Sequence, residues 1–203
     1  MVQILTLFAT RIYQAKLAGR DTVALNRDLH KACLSIARDD KAGQAWCRAN
    51  AYQGYTSYSS LNDLPVRAPQ FADLARRLDK HVASFARTLH YDLARKLKLD
   101  SIWINVLKPG GTHTSHIHPH SVISGTYYVA TPKGSSALKF EDPRLGLMMA
   151  APIKKQTAPR DAQPFVYAAA ESGSLILFES WLRHEVPANQ ARQDRISISF
   201  NYA

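Results

Sequence analysis

The sequence predicts an α+β fold in which a barrel or sandwich of short strands carries helices on its outer face. Residues 1–99 have largely helical periodicity, whereas residues 100–203 contain runs whose polarity alternates with a period of two. The 203 residues, of which 46% are hydrophobic and 21% charged, suit one domain. We therefore expect residues 1–99 to be mainly helical support and residues 100–203 to form the core of the domain.

The first half of the chain predicts two amphipathic helices. Apolar residues recur at helical spacing from Asp21 to Arg38, and Asp21 and Thr22 are the candidates for the N-cap. Residues 43–69 are rich in turn formers and predict a loop with at most a short strand. The second helix follows Pro69, and its stripe is interpreted as packing surface. The stripe consists of Phe71, Leu74, Leu78, Val82, Phe85, Leu89, Leu93 and Leu97.

The second half predicts many short strands without intervening helices, a pattern typical of a sandwich or barrel. In the last run, residues 195–202, apolar side chains alternate with polar ones, so one face can lie under the long helix while the other lines a polar cavity. The polar face holds Arg195, Ser197, Ser199 and Asn201. The runs that alternate are residues 101–107, 124–130, 137–140, 174–178 and 195–202.

Charge and cysteine content narrow the choice of partners and compartment. The formal net charge is +10, but the basic residues are spread along the chain without the Lys/Arg runs of a nucleic-acid-binding protein. This favours a solvated basic surface, with an anionic partner as the alternative. Cys33 and Cys47 are predicted to be free thiols, and no apolar stretch is long enough to cross a membrane. A cytoplasmic protein is expected; a homo-oligomer remains open.

The histidines carry the main chemical signal, because four of the eight lie within residues 113–120. On a strand, residues i and i+2 point to the same side, so His116 and His118 can both reach one metal ion. His113 has the opposite parity and is not expected to ligate the ion directly. His184, which follows the apolar run 174–178, is the candidate third ligand. The alternative is a polar, histidine-rich loop that binds no metal.

The motifs of residues 101–203 resemble those of the prolyl-hydroxylase-like 2-oxoglutarate and Fe(II)-dependent oxygenases. They are most similar to a bacterial and phage family within that group. The motifs that carry the resemblance are Trp103-Ile-Asn105, His116-Ile-His118-Pro119, Ser124-Gly-Thr-Tyr-Tyr128, Asp142-Pro-Arg144, His184 and the run from Arg195 to Asn201.

The resemblance implies a double-stranded β-helix, or jelly roll, that holds one Fe(II) ion on His116, His118 and His184. In the wider superfamily a carboxylate usually stands at the position of His118. Three imidazoles leave more positive charge on the ion, and such a site suits Zn²⁺ as well. No catalytic side chain is expected beyond the metal centre.

The resemblance also implies a site for 2-oxoglutarate, the cosubstrate. Arg195 is expected to pair with its distal carboxylate, with Ser197 adding a hydrogen bond, and with Tyr127 and Asn105 nearby. Parity alone does not decide between Tyr127 and Tyr128. The implied reaction hydroxylates a C–H bond and releases succinate and CO₂. The substrate is expected to be a small molecule or a peptide, and the basic residues in 151–160 favour an anionic one.

Two other functions compete with this one. A three-histidine cupin would use O₂ without 2-oxoglutarate, but such proteins usually have a Glu a few residues after the histidine pair, and none occurs between His118 and Glu141. A non-enzymatic module would hold a structural ion on the histidines. Structural zinc sites are usually rich in Cys, and Cys33 and Cys47 lack metal-ligand spacing.

Overall fold

The computed structural model describes residues 1–203 and contains two antiparallel sheets and four helices. The helices are α1 (Thr22–Asp39), α2 (Lys41–Ala49), α3 (Leu64–Arg67) and α4 (Pro69–Thr88). The strands are β1 (Tyr13–Lys16), β2 (Gly54–Thr56), β3 (Leu99–Leu107), β4 (His113–His116), β5 (Ile123–Ala130), β6 (Leu138–Glu141), β7 (Phe165–Ala168), β8 (Ser174–Glu179), β9 (His184–Val186) and β10 (Arg195–Tyr202).

The eight strands β3 to β10 form the predicted jelly roll. The larger sheet has the order β1-β8-β5-β10-β3-β2, and the smaller sheet has the order β4-β9-β6-β7. The chain crosses repeatedly between the two sheets, which is the double-sheet arrangement of a jelly roll. The two strands before β3, β1 and β2, extend the larger sheet at its two edges.

Helices α1 and α4 cover the outer face of the larger sheet, as the sequence predicts. The stripe residues of α4 from Phe71 to Phe85 are almost completely buried in one apolar cluster. The same cluster contains one face of β10, formed by Ile196, Ile198, Phe200 and Tyr202. Since side chains alternate along a strand, the polar face of β10 is left for the interior of the jelly roll.

The predicted second helix is too long. The helix ends at Thr88, His90 has a left-handed backbone with φ of 56°, and the Leu93 side chain is exposed. Residues 43–69 contain the predicted short strand, β2, but also α3 and most of α2, which were not predicted. Gly43 suggested a turn, but it lies inside α2, at a position where a Cβ would approach the Asp40 carboxylate to 2.2 Å.

Cys33 and Cys47 are both free and buried, which confirms the predicted free thiols. None of the helices combines the length and the hydropathy that a bilayer-spanning segment needs.

The packing of α4 on the sheet predicts a large loss of stability when its stripe is truncated. Leu78 has no exposed surface, so Leu78→Ala is expected to lower the free energy of unfolding by about 2–5 kcal/mol. Urea unfolding measures the change. Arg76→Ala, on the exposed side of the same helix, should stay within about 0.5 kcal/mol of the parent protein; equal losses in both variants would contradict this packing.

Candidate metal centre and its cavity

Three histidines converge at one end of the smaller sheet. His116 on β4 lies directly opposite His184 on β9 in the antiparallel register. His118 follows the end of β4 and is anchored by its backbone N–H, which donates to Ser180 O at 2.9 Å. The nitrogen atoms that these rings offer to a metal all lie within 4.8 Å of one another. The structure therefore brings together the three predicted ligands, although His118 lies just outside a strand.

Hydrogen bonds orient all three imidazole rings in the same way. In each ring, Nδ1 faces an oxygen atom that can only accept a hydrogen bond, so Nδ1 carries the proton and Nε2 presents its lone pair. Such partners fix the tautomer of histidines that ligate metals. The acceptors are Thr114 O for His116 at 2.6 Å, Asn201 Oδ1 for His118 at 2.5 Å and Leu182 O for His184 at 2.9 Å.

Burial keeps two of the three imidazole rings in the protonation state that a metal requires. It lowers the pKa of His184 to about 3 and also lowers the pKa of His118, because the charged imidazolium loses solvation. Both rings are therefore neutral at pH 7 and available as ligands. Three neutral imidazole nitrogens suit divalent iron, and they suit zinc as well. His113 lies outside this cluster, with its ring 5.7 Å from that of His116.

The three histidines and Arg195 line one cavity of about 760 Å³. Arg195 is 2% exposed and donates from Nε to Ser136 O at 3.3 Å and from a terminal nitrogen to Ser197 Oγ at 3.2 Å. No carboxylate lies within ion-pair distance of its guanidinium. Three acidic groups that could have neutralised it are paired with other residues: Glu141 with Arg183, Asp142 with Arg144, and Glu185 with Lys139.

A buried cation without a counter-ion is costly, because burial removes the water that would stabilise it. A planar guanidinium matches the two oxygens of a carboxylate. The surroundings of Arg195 therefore suit a carboxylate, and its side chain lines the same cavity as the histidines.

Tyr128, and not Tyr127, is the tyrosine beside Arg195. In the pairing of β5 with β10, Tyr128 lies opposite Ser197 and Tyr127 lies opposite Ile198. Cross-strand partners share a face, so Tyr128 points to the interior and Tyr127 to the helices. The Arg195 guanidinium lies 5.0 Å from the centroid of the Tyr128 ring. The Tyr127 hydroxyl instead donates to Asn26 Oδ1 at 2.9 Å, so the structure replaces Tyr127 with Tyr128 at this place.

Asn105 also lies on the cavity side, opposite Ser197 in the pairing of β3 with β10. Its amide is already engaged: Thr56 Oγ1 donates to Oδ1 at 2.9 Å, and Nδ2 donates to Ser199 Oγ at 3.0 Å. Asn105 therefore links β2, β3 and β10 along the cavity wall. Its expected contact with the cosubstrate stays a prediction.

Asn201 is a residue of the site that the sequence prediction did not single out. Its Oδ1 accepts from His118 Nδ1 and from Ser124 Oγ, and its Nδ2 donates to Ser101 Oγ at 3.2 Å. The signal was present in the sequence, because Asn201 has the same parity on β10 as Arg195. Its distance from the histidines along the chain concealed it.

Asn201→Ala is expected to weaken Fe(II) affinity about 10- to 100-fold, since it removes the acceptor that orients His118. Anaerobic Fe(II) titration measures this change. Ser199→Ala, on the same face of β10 but bonded to Asn105, serves as the control and should keep the affinity of the parent protein. Unchanged affinity in Asn201→Ala would show that His118 does not need this acceptor.

The rest of the cavity lining is uncharged. Arg195 is its only Lys, Arg, Asp or Glu residue. No residue of 143–172 lines the cavity, so the basic residues of 151–160, which favoured an anionic substrate, do not face the site. The aromatic residues of the lining, apart from Phe178 and the histidines, are Trp46, Tyr52, Tyr58 and Trp103.

Comparison with known proteins agrees with this geometry. The model of a family described as "Putative 2OG-Fe(II) oxygenase" matches residues 101–201, where 2OG denotes 2-oxoglutarate. No curated protein matches the sequence. The matched segment contains the three histidines and Arg195.

Solved structures with the same fold have low sequence identity to this chain. The epimerase SnoN of nogalamycin biosynthesis, in complex with Fe³⁺, alpha ketoglutarate and nogalamycin RO, has a TM-score of 0.66 at 12% identity, covering 96% of this chain and 79% of that one. A prolyl-4-hydroxylase from Pseudomonas putida has a TM-score of 0.58 at 14% identity, with coverages of 96% and 92%.

HygX from Streptomyces hygroscopicus, with nickel and 2-oxoglutarate bound, has a TM-score of 0.60 at 14% identity, with coverages of 96% and 83%. The chain spans 52% of an oxidoreductase of the 2OG-Fe(II) oxygenase family from Burkholderia pseudomallei, with a TM-score of 0.45 at 14% identity. At these identities, the similarity of SnoN, the prolyl-4-hydroxylase and HygX establishes the shared jelly-roll fold.

Proposed function

We propose that this chain, which belongs through residues 101–201 to the 2OG-Fe(II) oxygenase family, hydroxylates a C–H bond of its substrate and releases succinate and CO₂. Fe(II) and 2-oxoglutarate are the metal and the cosubstrate of this family. A small-molecule or peptide substrate agrees with the family. When bound, the iron and the cosubstrate supply the oxidising chemistry, and the protein supplies position and an enclosed site.

The observation that carries this proposal is that three convergent imidazoles and an unpaired guanidinium line one cavity. His116, His118 and His184 would hold the iron through their Nε2 atoms, since their Nδ1 atoms are engaged. Three ligands from one side leave other coordination positions open to the cavity. His116 and His118 are only partly buried, which agrees with a metal that ligands can reach.

Arg195 would hold the distal carboxylate of 2-oxoglutarate, with the Ser197 hydroxyl next to it and the Tyr128 hydroxyl nearby. The Tyr128 hydroxyl is buried and makes no hydrogen bond within the protein. Burial also raises the pKa of Tyr128, which keeps the phenol protonated and able to donate. The positive charge of Arg195 and the neutral hydrogen-bond donor of Tyr128 together suit one carboxylate of a dicarboxylate.

The cupin alternative leaves Arg195 without a role. A cupin that used O₂ alone would keep a buried guanidinium that meets no anion, which is the most costly state for this side chain. A purely structural ion would not need a cavity that reaches both the histidines and Arg195. Both alternatives are tested by whether the protein binds 2-oxoglutarate.

Anaerobic addition of Fe(II) and then 2-oxoglutarate to the purified protein tests the proposed function. We expect a weak visible metal-to-ligand charge-transfer band that saturates with 2-oxoglutarate, because such a band would report binding of the cosubstrate at the iron. Succinate, formed in air when a substrate is present, gives the second readout. A protein that binds the metal tightly but shows neither band nor succinate would contradict the proposal and favour a structural ion.

We further infer that the group of the substrate that enters the cavity is uncharged. Arg195 is the only fully charged residue of the lining, and 2-oxoglutarate would occupy it. The remaining surface offers aromatic rings, amides and hydroxyls, which would not compensate the lost hydration of a charge. Of two compounds that differ only in carrying an amide or a free carboxylate, the amide should therefore stimulate succinate formation and the acid should not. Stimulation by the acids alone would contradict this inference.

A further inference from the structure

The hydroxyl of Tyr52 is a buried donor without a partner, and no part of the proposed metal centre accounts for it. Tyr52 lies between α2 and β2, outside the eight strands of the jelly roll. Its backbone is fixed, because its N–H donates to Cys47 O at 2.9 Å and its carbonyl accepts from Gly54 N at 2.9 Å. Its ring packs edge-on to His113, with 5.3 Å between centroids, and lines the cavity.

The buried side-chain hydroxyls without a hydrogen bond can each be related to Arg195 or to the cavity that it lines. There are three of them: the hydroxyls of Tyr52, Tyr128 and Ser135. Tyr128 packs under the guanidinium, and Ser135 precedes Ser136, whose carbonyl accepts from Arg195 Nε. The charge of Arg195 acts on Tyr52 as well, since it partly opposes the rise that burial causes in the Tyr52 pKa.

An unpaired buried hydroxyl is destabilising, so native proteins rarely keep several of them. A carboxylate removes this cost, because its two oxygens offer about four acceptor positions. Arg195 fills some of these positions and leaves others for neutral donors. The unpaired hydroxyls are therefore best explained by an anion that is held at Arg195.

We propose that Tyr52 is a further 2-oxoglutarate-binding residue, whose hydroxyl donates a hydrogen bond to the carboxylate held by Arg195. This inference rests on the proposed function and extends it to the helical part of the chain. The cosubstrate site is then closed from outside the jelly roll by the segment between α2 and β2. Binding of 2-oxoglutarate thereby joins this segment to the interior of the barrel.

The test compares Tyr52→Phe with the parent protein, using the charge-transfer band of the anaerobic Fe(II) protein to measure affinity. We expect 2-oxoglutarate to bind about 10-fold more weakly or worse, the loss of one hydrogen bond to a charged group. The second ligand is 2-oxopentanoate, which chelates iron in the same way but lacks the distal carboxylate. Its affinity should be equal in Tyr52→Phe and in the parent protein.

Tyr167→Phe is the matched control, because Tyr167 is exposed on β7 and does not line the cavity. Its affinity for both ligands should be that of the parent protein. If Tyr52→Phe binds 2-oxoglutarate as tightly as the parent protein, the inference about Tyr52 is overturned. The proposed function still stands in that case, provided that the parent protein gives the charge-transfer band. Equal weakening for both ligands also overturns it, since it indicates a structural role. Absence of the band in the parent protein rejects the proposed function and this inference with it.

Discussion

His184→Ala is expected to abolish retention of Fe(II), with at least about a 100-fold loss of affinity. The substitution removes one of three ligands and leaves two partly buried imidazoles at the cavity. His184 lies opposite His116 in the smaller sheet, and a short loop joins its strand, β9, to β8 of the larger sheet. Metal analysis after desalting, together with anaerobic Fe(II) titration, measures the loss.

His120→Ala is the matched control for this prediction. His120 belongs to the same histidine-rich segment, but it is exposed and lies outside the cluster. It should keep the iron affinity of the parent protein. Circular dichroism should give the same spectrum for both variants, so that metal loss is separated from unfolding. Retention of iron by His184→Ala would remove this residue from the metal centre.

Arg195→Met is expected to keep the iron and to weaken 2-oxoglutarate binding by about 100-fold or more. Methionine is similar in length, so it fills the space but offers no donor to a carboxylate. The three histidines keep their orienting hydrogen bonds, since none of these involves Arg195. The charge-transfer titration gives the affinity for the cosubstrate, and metal analysis gives the iron content.

The same substitution should stabilise the protein in the absence of 2-oxoglutarate. Arg195 is 2% exposed and has no carboxylate partner, so an apolar residue relieves the cost of a buried charge. We expect a gain of about 1 kcal/mol in the free energy of unfolding. Added 2-oxoglutarate should stabilise the parent protein and not the variant, because a ligand stabilises only the state that binds it.

Arg192→Met provides the control, since Arg192 is exposed three residues before Arg195. Its cosubstrate affinity and its stability should match those of the parent protein. If Arg195→Met bound 2-oxoglutarate as tightly as Arg192→Met, the carboxylate site would have to be sought elsewhere in the cavity.

The elements that the sequence predicts well are those with long, uniform patterns. The strand that closes the barrel, β10, alternates without interruption from Arg195 to Tyr202, and both of its faces have the predicted surroundings. The apolar stripe of α4 is equally regular up to Phe85. Beyond Thr88 the apolar spacing continues, but the backbone turns at His90, so periodicity alone overestimates the helix.

Short elements escape such patterns because their residues are chosen for contacts with distant parts of the chain. Gly43 leaves room for Ser60, whose Oγ a Cβ would approach to 2.7 Å, and this glycine makes α2 resemble a turn in sequence. Tyr52 lies in that same region and appears as one more tyrosine of a loop. Its role at the cavity depends on the packing of the helical segment against the barrel.

The sequence by itself determined a barrel or sandwich of short strands, the two classes of side chain on β10 and the pairing of His116 with His118, because local alternation and spacing encode which residues share a face. The jelly roll was implied by the resemblance of its motifs to a known family. Only the tertiary structure decided between Tyr127 and Tyr128, placed Asn201 behind His118 and left Arg195 without a counter-ion. Strand register and the absence of a partner are properties of contacts between distant segments, and a linear sequence does not contain them.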